Sequence, residues 1–483
     1  MFKIIFIACL IFFSFQTTNG QIIIPENEFL RAIRKEIQEM VDKRKIPSLA
    51  IAVIKDGRII WQEAIGFADV DLKVPATVNH AYPLGSVSKS VTATGIMQLI
   101  NSRKLDLQSD IRPLITPIRL KNIDGETPAI KLWQLVSQNA GITHGYGTFP
   151  KNIGIPKTTE ARKRFFEKAV VIAFPPGTVY EYSNHSFSIS ELIIEKVSGD
   201  SYEKFMNKNI FLPLGMEHTY AYPINNPEQE KNIVSIYSDK MEKLKNDFIA
   251  YPSGGMENWS SIKDMSRYLL FHLGIIKDSN LISDKNLNLM HNFRQGPADL
   301  FVIGWFNTGG ELFSNGNVSG GNASVTISKK NNFAVVCLLN RTSWDGIADM
   351  FAGKIRDVFF KEQNTGGYLA WQRIYGTPYS ARYELDGIWK GRMIEPESDK
   401  LLPVELNFKA DGSVVIKLDN KESILRNVTF NLFGELEAGM TLVLPGITKD
   451  EVRCSFKLKR DENMLNGYLQ YDGEVEGVDY RLP

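Results

Sequence analysis

Ser86-Val87-Ser88-Lys89 places a hydroxyl and an amine three residues apart at the start of a helical run. That spacing brings both side chains to one helix face, with Cβ atoms about 5–6 Å apart. Serine is a weak nucleophile until its proton is taken, and a lysine of lowered pKa can assist in that transfer. The helix N-terminus adds positive potential, which disfavours the ammonium and favours an alkoxide. The spacing alone is common, and Ser201–Lys204 and Ser260–Lys263 repeat it on what read as solvated helix faces. Downstream, Tyr182-Ser183-Asn184 is the only Tyr-x-Asn in the sequence and follows the turn Phe174-Pro175-Pro176-Gly177. A tyrosine beside a lysine can ionise well below its usual pKa of about 10 and act as a general base. An amide such as Asn184 can bond both the lysine and a substrate carbonyl. Taken singly, Tyr182 and Asn184 read as loop residues with structural hydrogen bonds.

The elements that must carry these groups are readable from periodicity. Glu26 to Lys45 carries Phe29, Leu30, Ile33, Ile37, Met40 and Val41 on one helical stripe. Ser48 to Ile54 and Arg58 to Phe67 are apolar runs joined by Asp56-Gly57, a hairpin signal. Ser86 to Lys104 reads as a helix opening on the serine, and residues 105 to 300 as mostly helical, broken by Gly and Pro turns. Phe301 to Phe306, Ala323 to Ser328 and Phe333 to Leu339 read as strands, and Gly346 to Phe360 as a closing helix. Strands from both ends of this region can share one sheet with the helical part packed beside it. The expected fold class is therefore an α/β (α+β) domain, an antiparallel sheet flanked by helices plus a mostly helical subdomain. A second, all-β antiparallel barrel domain follows. Its strands alternate at Val404, Leu406 and Phe408, at Val414, Ile416 and Leu418, and at Cys454, Phe456 and Leu458, with Asp411-Gly412 as a turn.

The boundaries that follow are a signal peptide at 1–20, a catalytic domain at 21–362, a linker at 363–380 and a barrel at 381–483. The leader has Lys3, the apolar run Ile4 to Phe15 and Thr18-Asn19-Gly20 for cleavage. That apolar run is shorter than the about 20 residues of a membrane span, so the expectation is an exported protein, periplasmic or extracellular, with no span in its mature form. Lys and Arg number 56 against 55 Asp and Glu, a net charge of +1, and no basic run is interleaved with aromatics. Nucleic acid and anionic membrane faces are thus not expected partners. No His-Glu-x-x-His or other metal-ligand spacing occurs, and no cofactor or metal is implied. Cys337 and Cys454 sit in apolar strand-like runs and read as small buried hydrophobes. A Gly-x-Ser-x-Gly elbow is absent, which disfavours a Ser-His-Asp triad, and His144 and His185 read as structural.

Leu84-Gly85-Ser86-Val87-Ser88-Lys89-Ser90 and Tyr182-Ser183-Asn184 resemble the first two motifs of the serine β-lactamase-like and penicillin-binding-protein superfamily: class C β-lactamases, DD-peptidases, esterases and D-aminopeptidases. Leu135 to Ile142 and Tyr251-Pro252-Ser253-Gly254-Gly255-Met256 resemble its connecting segments, and the likeness covers about residues 30 to 360. The C-terminal domain resembles the lipocalin-like barrels of some relatives. The resemblance implies that Ser86 is acylated, Lys89 and Tyr182 shuttle protons, Asn184 positions the substrate, and water releases the acyl group. It also implies an oxyanion hole formed by the nucleophile's N–H and a strand N–H beyond the third motif. That motif, usually Lys-Thr-Gly or His-x-Gly, departs here in Ser314-Asn315-Gly316-Asn317-Val318. In one register Asn315 stands for the basic residue, Asn317 for the glycine, and Val318 gives the oxyanion N–H. A shift by one keeps Gly316 and puts Ser314 in the basic slot. Either way the base is missing, and an amide bonds a carboxylate without pairing its charge. The expected function is a serine hydrolase acting on small ester, amide or peptide substrates, and not an efficient β-lactamase. The other reading is a catalytically inactive binding protein that keeps the fold.

Overall fold

The computed structural model describes residues 22–122, 124–144, 170–221, 224, 226–245, 257–297, 300–360, 377–378, 385, 387–395, 400–418, 421–430, 435–442, 452–461, 464–475 and 478–482. The leader, the Gly-Gly-Met turn and all of the linker except Thr377–Pro378 lie outside these residues.

Asn27 caps α1 (Glu28–Asp42) by accepting hydrogen bonds from the N–H groups of Phe29 and Leu30, and Leu30, Ile33, Ile37 and Val41 are its buried stripe. β1 (Ser48–Lys55) and β2 (Arg58–Asp69) form the expected hairpin. Asp56 and Gly57 turn it at φ of 50° and 75°, the left-handed pair that a tight hairpin needs. β3 (Val74–Pro75) lies at one edge. The helices that follow include α2 (Ser88–Asn101), α3 (Asn184–Ser198), α4 (Ile262–Leu273) and α5 (Asp284–Asn292). β4 (Phe306–Thr308), β5 (Glu311–Val318), β6 (Gly321–Ser328) and β7 (Phe333–Leu339) then return to the sheet, and α6 (Ile347–Phe360) packs on it.

The seven strands are ordered β3-β2-β1-β7-β6-β5-β4. β1 pairs antiparallel with β7, Leu49 opposite Leu339 and Lys55 opposite Phe333, so the beginning and end of the domain meet at the sheet centre. Alternate side chains sort into two layers. Leu49, Ile51 and Val53 join Val335, Cys337 and Leu339 under α1 and α6. Ala50, Ala52 and Ile54 join Ala334, Val336 and Leu338 under α4 and the helical subdomain. Burial on both faces explains why β1 and β7 are continuous apolar runs without alternation. Cys337 is a buried free thiol in this core, and Cys454 is buried in the C-terminal core.

The Phe301 to Phe306 run is not a strand throughout. Only Phe306 enters β4, while Val302 N–H bonds Trp305 O across a turn containing Gly304 at φ +76°. A β-carbon at Gly304 would overlap that of Ala93 and lie 3.0 Å from Lys89 O, so the chain bends where it presses against α2.

The C-terminal region is all antiparallel, but among the described residues it forms two sheets and not a closed barrel. β8 (Thr377–Pro378) is followed by β9 (Gly387–Glu395), β10 (Lys400–Phe408), β11 (Val414–Leu418) and β12 (Lys421–Ile424). After them come β13 (Arg426–Phe430), β14 (Glu435–Leu442), β15 (Val452–Asp461), β16 (Met464–Val475) and β17 (Val478–Leu482). One sheet is β9-β10-β11-β12 and the other β8-β13-β14-β15-β16-β17, with no ladder recorded between them. Leu402, Leu406, Phe408, Val414, Ile416 and Leu418 fill a core with Leu436 and Cys454. Within the described residues no helix is long and apolar enough to cross a membrane, and no cluster of three His, Cys, Asp or Glu could hold a metal.

His272 and His291 are buried with Nδ1 and Nε2 2.8 Å apart, and burial holds both well below the ordinary histidine range. His185, also buried, is lowered to about 3. The unfolded chain protonates these rings below about pH 6.5, while the folded chain does not. Their stability is therefore complete above that pH and lost as pH falls toward the folded values, at up to about 1.4 kcal/mol per pH unit for each ring. The urea midpoint is expected to fall clearly between pH 7.5 and 5.5. A flat profile would show that these rings take up protons without unfolding.

Candidate active site

Ser86 lies in a 3-10 turn, Gly85–Val87, that precedes α2, so this serine stands just outside the α-helix and not in its first turn. Gly85 takes φ +53°. Leu84 N–H bonds Asn258 O at 2.9 Å, and Ser88 Oγ accepts from Asn258 N–H at 3.0 Å. The short strands Ala81–Pro83 and Asn258–Ser261 thus hold both sides of the turn.

Lys89, one turn on, is fully buried. Its Nζ is 3.0 Å from Ser86 Oγ and 2.6 Å from Asn184 Oδ1, and 4.8 Å from the centre of the Tyr182 ring. Burial holds the amine well below its ordinary value. Ser86, Lys89, Tyr182 and Asn184, far apart in sequence, are therefore one cluster.

Tyr182 is half-buried, stacked on Phe306 with ring centres 6.1 Å apart, and meets the edge of Phe301 at 6.2 Å. The bend at Gly304 is what delivers those two rings. Gln138, at φ +61°, grips the strand-like segment around Tyr182. Its carbonyl accepts from Glu181 N–H, its Oε1 from Ser183 N–H at 2.9 Å, and its Nε2 donates to Ser183 O at 3.1 Å. Ser183 Oγ caps α3 by accepting from Ser186 N–H, which brings Asn184 to the helix start. His144 stacks on Tyr182 at 5.6 Å, its Nδ1 is 2.6 Å from Tyr182 O, and its own carbonyl accepts from Asn184 N–H. Neither Gln138 nor His144 was singled out by motif. Only the position of Gln138 within Leu135 to Ile142 points to it.

β5 brings the third motif. β4 pairs only with Glu311 to Phe313, so beyond Phe313 that edge of β5 faces the Gly85–Val87 turn. Gly316 abuts the backbone of Leu84 to Ser86. A β-carbon there would overlap Leu84 O and lie 2.7 Å from Ser86 N, and one at Gly85 would lie 3.1 Å from Asn317 N. Strand alternation puts Asn315 and Asn317 on the opposite face. Burial raises the pKa of the Asp349 carboxyl of α6 against the opposing influence of the Ser324, Asn315 and Asn322 side chains, and Asn317 Nδ2 donates to Ser343 O at 3.0 Å. The residue that meets the Leu84–Ser86 backbone is thus Gly316, flanked by Asn315 and Asn317, and Val318 pairs with Gly321 at the end of the strand. Asn322, which belongs to no sequence motif, donates to Gly316 O at 3.1 Å and accepts from Ala348 N–H at 2.8 Å, tying β5 to α6.

The Beta-lactamase family model matches residues 33–357. The chain belongs to the beta-lactamase family. Its relatives include Protein flp of Staphylococcus aureus (strain N315), 26% identical over 325 residues, which are 66% of this chain and 64% of that protein. The chain thus aligns with less than two thirds of the length of that relative. D-aminopeptidase of Brucella anthropi is 21% identical over 459 residues, 91% of this chain and 80% of the relative. Among solved structures, the octameric penicillin-binding protein homologue from Pyrococcus abyssi superposes at a TM-score of 0.59 with 21% identity, covering 94% of this chain and 99% of that one. The beta-lactamase fold therefore extends over the N-terminal region, and the likeness in fold continues through the C-terminal sheets.

Proposed function

We propose that this chain is an exported serine hydrolase that acts through an acyl-enzyme on Ser86. The observation that carries the reading is the buried Lys89 amine within hydrogen-bond reach of both Ser86 Oγ and Asn184 Oδ1. A neutral amine at this place can take the Ser86 proton as the oxygen attacks a carbonyl, with Tyr182 relaying it to the leaving group. Asn184 keeps the amine aligned and can donate from its own amide to the substrate. The tetrahedral oxyanion is stabilised by the N–H groups of Ser86 and Asn317, the latter in the place first assigned to Val318. Water then attacks the acyl-enzyme by the same proton path in reverse. The binding-only reading gains no support from an arrangement in which the nucleophile and base remain within bonding distance.

Exposure to a fluorophosphonate tests the reading. One adduct that maps to Ser86 and is absent from Ser86→Ala is expected, and no adduct on the folded protein would favour the binding-only reading. Substrate class follows from Ser314 in the basic slot. Without a cation at that point, an amidated peptide or neutral ester is expected to turn over faster than its free acid, and nitrocefin only slowly. Equal rates for the amide and the acid would refute this selectivity.

A further inference from the structure

Glu181, the residue before Tyr182, is a carboxylate buried to 2% exposure inside the hydrolase domain, and Lys457 of the C-terminal domain reaches it at 2.8 Å. Lys457 and Lys459 are two apart on β15, so strand geometry puts both on one face, opposite to Cys454 and Leu458 in the core. Lys459 Nζ donates to Thr178 O at 3.0 Å in the same segment. A third contact, Arg392 to Asp124 at 2.7 Å, joins β9 to the hydrolase domain, but it is exposed at both ends and contributes little. The pair at Glu181 differs because Lys457 is itself only 14% exposed. Breaking such a pair leaves a charge in a poorly solvated place, which is costly.

We infer that Lys457 is a positioning residue for the active site, so that the C-terminal domain holds the Tyr182 segment in place and completes the site rather than only covering it. Gln138 grips the backbone at Glu181 and Ser183, on both sides of Tyr182, and Lys457 of the C-terminal domain meets the Glu181 side chain in the same segment. Loss of the ammonium would draw Glu181 toward water and take Tyr182 with it. The effect on turnover rests on the hydrolase reading, whereas the effect on the segment does not.

Full-length Lys457→Met, Lys457→Arg and Lys459→Met separate these. Methionine keeps the packing of the lysine stem, arginine keeps the charge, and Lys459→Met controls for loss of a neighbouring cation. In Lys457→Met, amide exchange over residues 178–184 is expected to quicken. The rate of fluorophosphonate labelling at Ser86 should fall by about tenfold or more, as a small misplacement can cause, with KM for a neutral ester little changed and kcat lowered. Lys457→Arg should restore both readouts, and Lys459→Met should stay at the parent labelling rate. Unchanged exchange in a folded Lys457→Met protein would overturn the inference, as would equal losses in Lys457→Met and Lys459→Met. If the parent protein itself takes no label, the hydrolase reading falls, and the exchange comparison alone decides the role of Lys457.

Discussion

Lys89→Met is expected to lower turnover by on the order of 10²–10⁴, the scale of a lost general base, without unfolding the protein. Methionine fills a similar volume, and the site of the amine is fully buried. Asn184 Oδ1 and Ser86 Oγ each lose a partner, a cost of about 1–3 kcal/mol where such atoms remain buried. Against this stands the cost of keeping an amine unprotonated. The pKa of Lys89 is well below 10.5 in the folded state, so the unfolded chain binds a proton that the folded chain lacks. In that interval stability rises with pH, at up to about 1.4 kcal/mol per unit for this one group. Urea denaturation at pH 7.5 and 9.5 should therefore show the parent gaining stability and Lys89→Met losing that gain. A variant within tenfold of parental turnover would remove Lys89 from the proton path.

Gly316→Ala tests the other half of the machinery. A β-carbon at this position meets backbone on both sides, Leu84 O and Ser86 N, so no side chain can rotate to relieve it. β5 must move away from the nucleophile, and Asn317 N–H moves with it. One oxyanion donor is typically worth about 2.7–4 kcal/mol, so kcat should fall by about 10²–10³. Overpacking should also lower stability by about 1–3 kcal/mol. Gly353→Ala is the control, because a β-carbon there meets nothing within 4 Å and the residue lies inside α6. It should gain about 0.5–1 kcal/mol and keep full activity. Retention of more than a tenth of parental kcat in Gly316→Ala would mean that β5 does not bear on the oxyanion.

The cluster of Ser86, Lys89, Tyr182 and Asn184 was legible because each motif pairs chemically distinctive residues at short spacing, and β1, β2, β6, β7 and α6 were legible as long apolar runs. The register of the third motif was not. Ser314-Asn315-Gly316-Asn317 has no apolar alternation to mark an inner face, and its facing follows contacts of Gly316 with the Leu84–Ser86 backbone and of Asn317 with Ser343, both remote in sequence. Phe301 to Phe306 misled for the opposite reason. Its apolar character was real, but a contact between Gly304 and Ala93 bends it. Gln138 was marked only by its place within Leu135 to Ile142, since its role depends on a left-handed backbone that glutamine seldom adopts. Alternation in the C-terminal strands identified the strands but carried no information on whether the sheet closes.

The pairing of Leu49 with Leu339 also bears on how the chain is made. The β1–β2 hairpin can form early, but its other edge has no partner until β7 has left the ribosome, on the order of tens of seconds later at 5–20 residues per second. Throughout that interval a strand apolar on both faces presents open hydrogen-bonding groups, a template for pairing between nascent chains. Yield in a heterologous host should therefore depend on translation rate and on holding factors acting on the first quarter of the chain, well before the catalytic groups have met.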